Sequence, residues 1–279
     1  MFGRSLLTVF VPVVAVVAAA SGCGGGSETY ASVVDKAKND KKLVIGVKAD
    51  QPGLGLRTPD GAFTGFDIEV AKYVARQLGV EEKDITFKET VSANREAFLE
   101  QGQVDMVVAT YSITDARKQK VSFAGPYFVA GQDLLVRSDE GALTGPETLN
   151  GKKLCSVAGS TPAQKVKEEY AKEVQLQEER TYSACVDRVL GGQLDAITTD
   201  NVILAGYAAQ HTGKLKVVGK PFSTEKYGIG LKKDDTAGRK AVNDALEKMF
   251  SDGSWTQALQ ASVGASGFAV PQAPQLERY

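Results

Sequence analysis

One phrase occurs twice in this chain. Gln101-Gly102-Gln103-Val104-Asp105-Met106-Val107 parallels Gly192-Gln193-Leu194-Asp195-Ala196-Ile197. In each copy a helical stripe stops at glycine, and an aspartate then leads into a short apolar run. The surroundings of the copies match as well. Before the first lie a buried strand at 43–47, a hairpin turn at Asp60-Gly61, a helical stripe at 66–78, a strand at 85–87 and a helix at 94–100, with a further strand at 104–109. Around the second lie a strand at 153–157, a charged amphipathic helix at 163–173, a short helix at 185–190, a strand at 195–199 and a helix at 202–210. Strand–helix alternation that restarts midway predicts an α/β molecule of two doubly wound lobes. A cleft between such lobes is a binding architecture, because ligands sit outside the carboxyl ends of the strands.

Composition narrows the chemistry. The 279 residues, 43% of them hydrophobic and 24% charged, suit one large or two medium domains. The net charge of −1 gives no polybasic face, so nucleic acid is not an expected partner. The only histidine, His211, lies in the polar turn Gln210-His211-Thr212-Gly213 and reads as a surface residue. No HExxH motif occurs, and the segment from Gly145 to Lys152 has one residue too many for a phosphate loop. Neither a cofactor nor a metal site is expected. No carboxylate stands out as a general acid or base, so an enzyme is not expected either.

The N-terminus carries a different signal. Arg4 is the only charge before residue 28, and an apolar run from Leu6 to Ala20 ends in small residues. This is an export signal, too short for a comfortable membrane span. Ala20-Ser21-Gly22-Cys23 resembles the lipobox of bacterial lipoproteins, which implies a signal peptide over 1–22 and a lipidated Cys23. The alternative is a plain secretory signal with an incidental cysteine. Gly24-Gly25-Gly26-Ser27 suits a flexible tether. Cys155 and Cys185 are then an even pair in an exported chain, which predicts a disulfide, with two buried thiols as the alternative.

Gly65-Phe66-Asp67-Ile68-Glu69-Val70 resembles the signature of the family 3 extracellular solute-binding proteins, the polar amino-acid receptors of ABC importers. Ser112-Ile113-Thr114-Asp115-Ala116-Arg117, Phe123-Ala124-Gly125-Pro126-Tyr127, Gly159-Ser160-Thr161 and Asp200-Asn201 follow in the family's order. The wording is similar to glutamate-binding lipoproteins of Gram-positive bacteria. The resemblance implies a type II periplasmic-binding-protein fold. A tether and helix would cover 23–39, lobe 1 residues 40–135 and 232–279, and lobe 2 residues 136–231. The crossover strands would fall near 133–137 and 227–231, and the tail after Gly267, rich in Pro and Gln, would be partly disordered. The expected protein is a monomer that closes around L-glutamate or L-aspartate. It would sit on the outer face of the cell membrane and serve the membrane subunits of an ABC importer.

The resemblance also distributes roles. Arg117 would hold the α-carboxylate, since its fork donates two parallel hydrogen bonds, helped by Thr110 and Ser112. Gly159, Ser160 and Thr161 would add second-lobe donors at a helix start. Asp200 would take the α-ammonium. Ser92 and Arg95, with Lys48, would hold a side-chain carboxylate, and Tyr182 would contribute from lobe 2. Arg57 could add a further cation. Each has a plainer alternative: a charged helix face for Arg117, an N-cap for Asp200, an exposed first-turn residue for Arg95, a strand-end charge for Lys48. Three other functions stay open at this point. They are an enzyme on the same fold, such as a cyclohexadienyl dehydratase, a sensor presenting glutamate, aspartate or asparagine to a signalling protein, and a glutamine receptor.

Overall fold

The structure, a computed structural model, describes Gly3 and residues 30–278. The expected signal peptide and Cys23 lie outside the described residues. Two five-stranded sheets organise the rest. The first runs, edge to edge, through Ile85–Glu89, Leu43–Val47, Met106–Val107, Glu225–Leu231 and Ser122–Ala130. The second runs through Gln175–Glu179, Lys153–Val157, Ala196–Asp200, Gln132–Arg137 and Leu215–Val217. In both, the first three strands are parallel and the fourth is antiparallel.

The repeated phrase does the same work twice. Asp105 accepts the backbone N–H of Val44 and donates its own N–H to the Val44 carbonyl. Asp195 makes the same two bonds to Lys153. Each aspartate thus locks the start of a central strand to its parallel neighbour. Gly102 (φ 65°) and Gly192 (φ 70°) supply the left-handed turn that ends the preceding helix.

The chain passes from the first sheet to the second at Gly131, between Ala130 and Gln132. It returns over residues 218–224, and Glu225–Leu231 belongs wholly to the first sheet. Both passages fall a few residues before the positions read from the sequence: the first is a single glycine in an almost continuous strand, and the second is a segment without strand structure that ends where Glu225–Leu231 begins. A charged helix over 163–173 does not form as one element: Pro162–Lys165 is α-helical and Val166–Tyr170 is a π-helical turn.

The tail is ordered, against expectation. Helix Ser254–Val263 buries Trp255 and Leu259 against helix Phe66–Gln77, and Trp255 Nε1 donates to the Tyr127 carbonyl. The turn Gly264–Ser266 packs on helix Asn201–Gln210 of the second lobe. The chain then returns to the first lobe, where Phe268 meets Phe128, the Glu277 N–H donates to Gly125 and the Glu277 carboxylate pairs with Lys226. Proline and glutamine gave no apolar period, but Val270, Ala273 and Leu276 supply the buried contacts. No helix among the described residues is long and apolar enough to cross a membrane.

Candidate functional site

The lobes meet along a closed cleft. A Cβ on Gly159 would lie 2.7 Å from the Ala93 Cα, and one on Gly206 would lie 2.4 Å from the Pro52 carbonyl oxygen. Only glycine admits such close backbone approach. Between these contacts Ser92, Arg95, Thr110, Ser112 and Arg117 from the first lobe face Ser160, Thr161, Tyr182 and Ile203 from the second around a small cavity. Eight of the expected site residues therefore line one cavity. Ile203 had no distinguishing signal, since it is one of several apolar residues on its helix.

Arg95 begins helix Arg95–Glu100, yet it is 2% exposed and turned inward. Its guanidinium donates to the carbonyls of Ser92, Ala109, Thr110 and Gly159. It makes no ion pair among the described residues. The exposed first-turn alternative is therefore excluded. Burial, then repulsion from Arg117, pulls it down to about 10. Arg117 sits in the short helix Asp115–Lys118, whose N-cap is Thr114. It donates to the carbonyls of Ser112 and Gly159, and its Nε lies 3.4 Å from Glu96. Gly159 thus accepts from both arginines across the cleft.

Lys48 does not line the cavity. It lies behind Ser92, 4% exposed, and donates to Ser92 Oγ at 2.7 Å. Burial first, then Arg95, pulls its ammonium down to about 7. Arg57 is exposed at the end of the short strand Gly55–Arg57, its guanidinium over the Phe63 ring, and stands apart from the site.

Asp200 precedes helix Asn201–Gln210 but caps nothing with its side chain. Instead Oδ2 accepts from the Tyr227 hydroxyl, and the buried Oδ1 has no hydrogen-bond partner among the described residues. Burial, then the neighbouring Glu225, pushes it up to about 7. An acid with a free buried oxygen is poised for a cation. Thr161 donates to Glu225, and Gln132 donates to both Thr161 and Glu225. Gln132 and Glu225 lie on the two strands flanking the lobe passages. Neither stood out in the sequence, because each is an ordinary polar residue in a strand.

Asp67, from the signature phrase, lies beneath the cavity. It accepts from the Thr110 N–H and the Tyr127 hydroxyl, both at 2.8 Å, and burial pushes it up to about 6. Thr110 needs that anchor: its φ of 43° is costly for a β-branched residue. Ser160 Oγ meets Ser156 Oγ at 3.2 Å, and Cys155 and Cys185 form a disulfide. That bond joins the strand leading to Gly159 with the helix that begins at Tyr182.

The model of the bacterial extracellular solute-binding proteins, family 3, matches residues 43–264. The chain is 45% identical to the glutamate-binding protein GluB of Corynebacterium glutamicum, over 90% of this chain and 87% of that one. It is 36% identical to the ABC transporter glutamine-binding protein GlnH of Bacillus subtilis, over 92% and 94%. Among solved structures, an ancestral arginine-binding protein bound to arginine superposes with a TM-score of 0.75 at 34% identity, covering 80% of this chain and 98% of that one.

Proposed function

The chain belongs to the bacterial extracellular solute-binding proteins of family 3, and from that membership we propose that it is a glutamate receptor. It captures the amino acid by lobe closure and hands it to the membrane subunits of an ABC importer. One observation carries the solute: Arg95 is a buried cation inside the cavity whose hydrogen-bond partners among the described residues are all carbonyls. Carbonyls satisfy its N–H groups without neutralising its charge. Arg117 suffices for one carboxylate, and Asp200 with its free oxygen suits the ammonium. A ligand with a second carboxylate completes the set.

An amide in that place would leave Arg95 uncompensated. Losing the partner of a buried charge costs about 3–5 kcal/mol, a discrimination on the order of 100-fold or more. Calorimetry is expected to find glutamate bound at micromolar or tighter Kd and glutamine about 100-fold weaker. Arg95→Ala is expected to abolish that preference. Preferred glutamine binding, or unchanged glutamate affinity in Arg95→Ala, would overturn the assignment. The GluB relative supports glutamate, and the GlnH relative makes glutamine the natural competitor to test.

The proposal extends to the anchor. Cys23, in its lipobox-like setting before a glycine tether, holds the receptor to the outer face of the membrane. Labelled palmitate should enter the wild-type protein and not Cys23→Ser, with the variant released into the medium.

A further inference from the structure

Tyr111 lies between two cavity residues, Thr110 and Ser112, but is itself fully buried in the first lobe. Its ring centroid is 4.2 Å from the Arg95 guanidinium carbon and 5.1 Å from that of Arg117. One ring therefore stands against both cations of the site. The ring is itself fixed. Phe123 packs edge-on at 4.7 Å, and the return strand leaves room through Gly230, where a Cβ would come within 2.9 Å of the ring. Gly228 N–H also bonds the Tyr111 carbonyl.

Two buried guanidiniums side by side repel, and Arg95 makes no ion pair among the described residues; the Glu96 carboxylate, whose charge favours Arg95, sits against Arg117 instead. An aromatic ring is attractive to both, because its quadrupole is negative over the face. We infer that Tyr111 is a positioning residue that sets the selectivity for a second carboxylate: its ring holds the Arg95 and Arg117 guanidiniums close together and correctly spaced. This rests on the glutamate reading above, and it goes further by assigning the selectivity to a residue that touches no ligand. Without the ring, repulsion would move Arg95 out of place, and the distinction between carboxylate and amide would shrink. Arg117, with Glu96 beside it, would retain the α-carboxylate.

The test is a double comparison by calorimetry, with glutamate and glutamine, of wild type, Tyr111→Phe and Tyr111→Leu. Tyr111→Phe keeps the ring and should keep the glutamate-to-glutamine ratio within about threefold. Tyr111→Leu should lower that ratio about tenfold, the size of a buried cation–π contact, chiefly through glutamate. Should Tyr111→Leu fail to fold, phenylalanines of increasing fluorination at 111 keep the shape while draining the ring face. The ratio should then fall stepwise with each fluorine. A ratio unchanged in Tyr111→Leu or along the fluorinated series overturns the inference, as does equal weakening of both ligands, which would mark a merely structural role. A wild-type protein that prefers glutamine overturns the glutamate reading, and the inference with it.

Discussion

Arg95 and Asp200 are both buried polar groups with unfinished partnerships, and their chemistry predicts a pH profile. On the proposed reading the ligand ammonium would bind ionised Asp200, which burial pushes up to about 7, so protons should compete with ligand as pH falls below 7. On the same reading Lys48, pulled down to about 7, would favour a side-chain carboxylate through Ser92 rather than by contact, so affinity should be lost as pH rises above 7. Glutamate affinity should therefore peak near pH 7, falling at most about tenfold per pH unit on either side for each group. Asp200→Asn should remove the acid limb and weaken binding throughout. A profile flat between pH 5.5 and 8.5 would contradict this. The residue types were legible beforehand, but their burial was not. Nothing local distinguishes Arg95, which is buried, from Arg76, which is exposed, and only the family order separated them.

At the scale of elements, the duplicated phrase was the part of the fold most open to reading, because one local rule governs both copies: a glycine stop, then an aspartate tying two parallel strands. Strand Lys153–Val157 and helix Phe66–Gln77 lie where their patterns put them. Strand Gln175–Glu179 was invisible, since Gln-Leu-Gln-Glu-Glu is an edge strand with little apolar content. Strand Ser122–Ala130 hid behind its internal Gly125-Pro126, which usually argues against a strand. The paired cysteines were easier, being the even pair left once Cys23 is set aside in a chain expected to be exported. Their bond closes a separation of 30 residues. Replacing both with alanine should lower stability by about 3–4 kcal/mol in the chain-entropy account, seen as a lower midpoint in denaturant melts. An unchanged midpoint would show that packing alone holds the two segments.

Over the whole molecule, closure has a latch apart from the ligand. The Asp50 carboxylate of the first lobe accepts from the Ser183 N–H at 3.2 Å, at the start of helix Tyr182–Leu190, and from the Tyr207 hydroxyl. A carboxylate at a helix N-terminus gains from the exposed N–H groups and the dipole. Asp50 touches only the opposite lobe in this way, so it acts on opening more than on ligand contacts. Asp50→Ala should speed glutamate release about tenfold with a smaller change in capture rate, measured by stopped-flow fluorescence. Equal release rates would place the barrier to opening elsewhere.

The tail adds a tie of another kind. After touching the second lobe at 264–266 it runs back to the first, where Arg278 pairs with Asp244 and Glu247. A dye carried near residue 278 would thus travel as a rigid part of the first lobe. The exposed Lys172 offers a place for its partner on the other. Energy transfer between the two would turn each capture event into an optical signal, making the receptor a reporter of its own ligand.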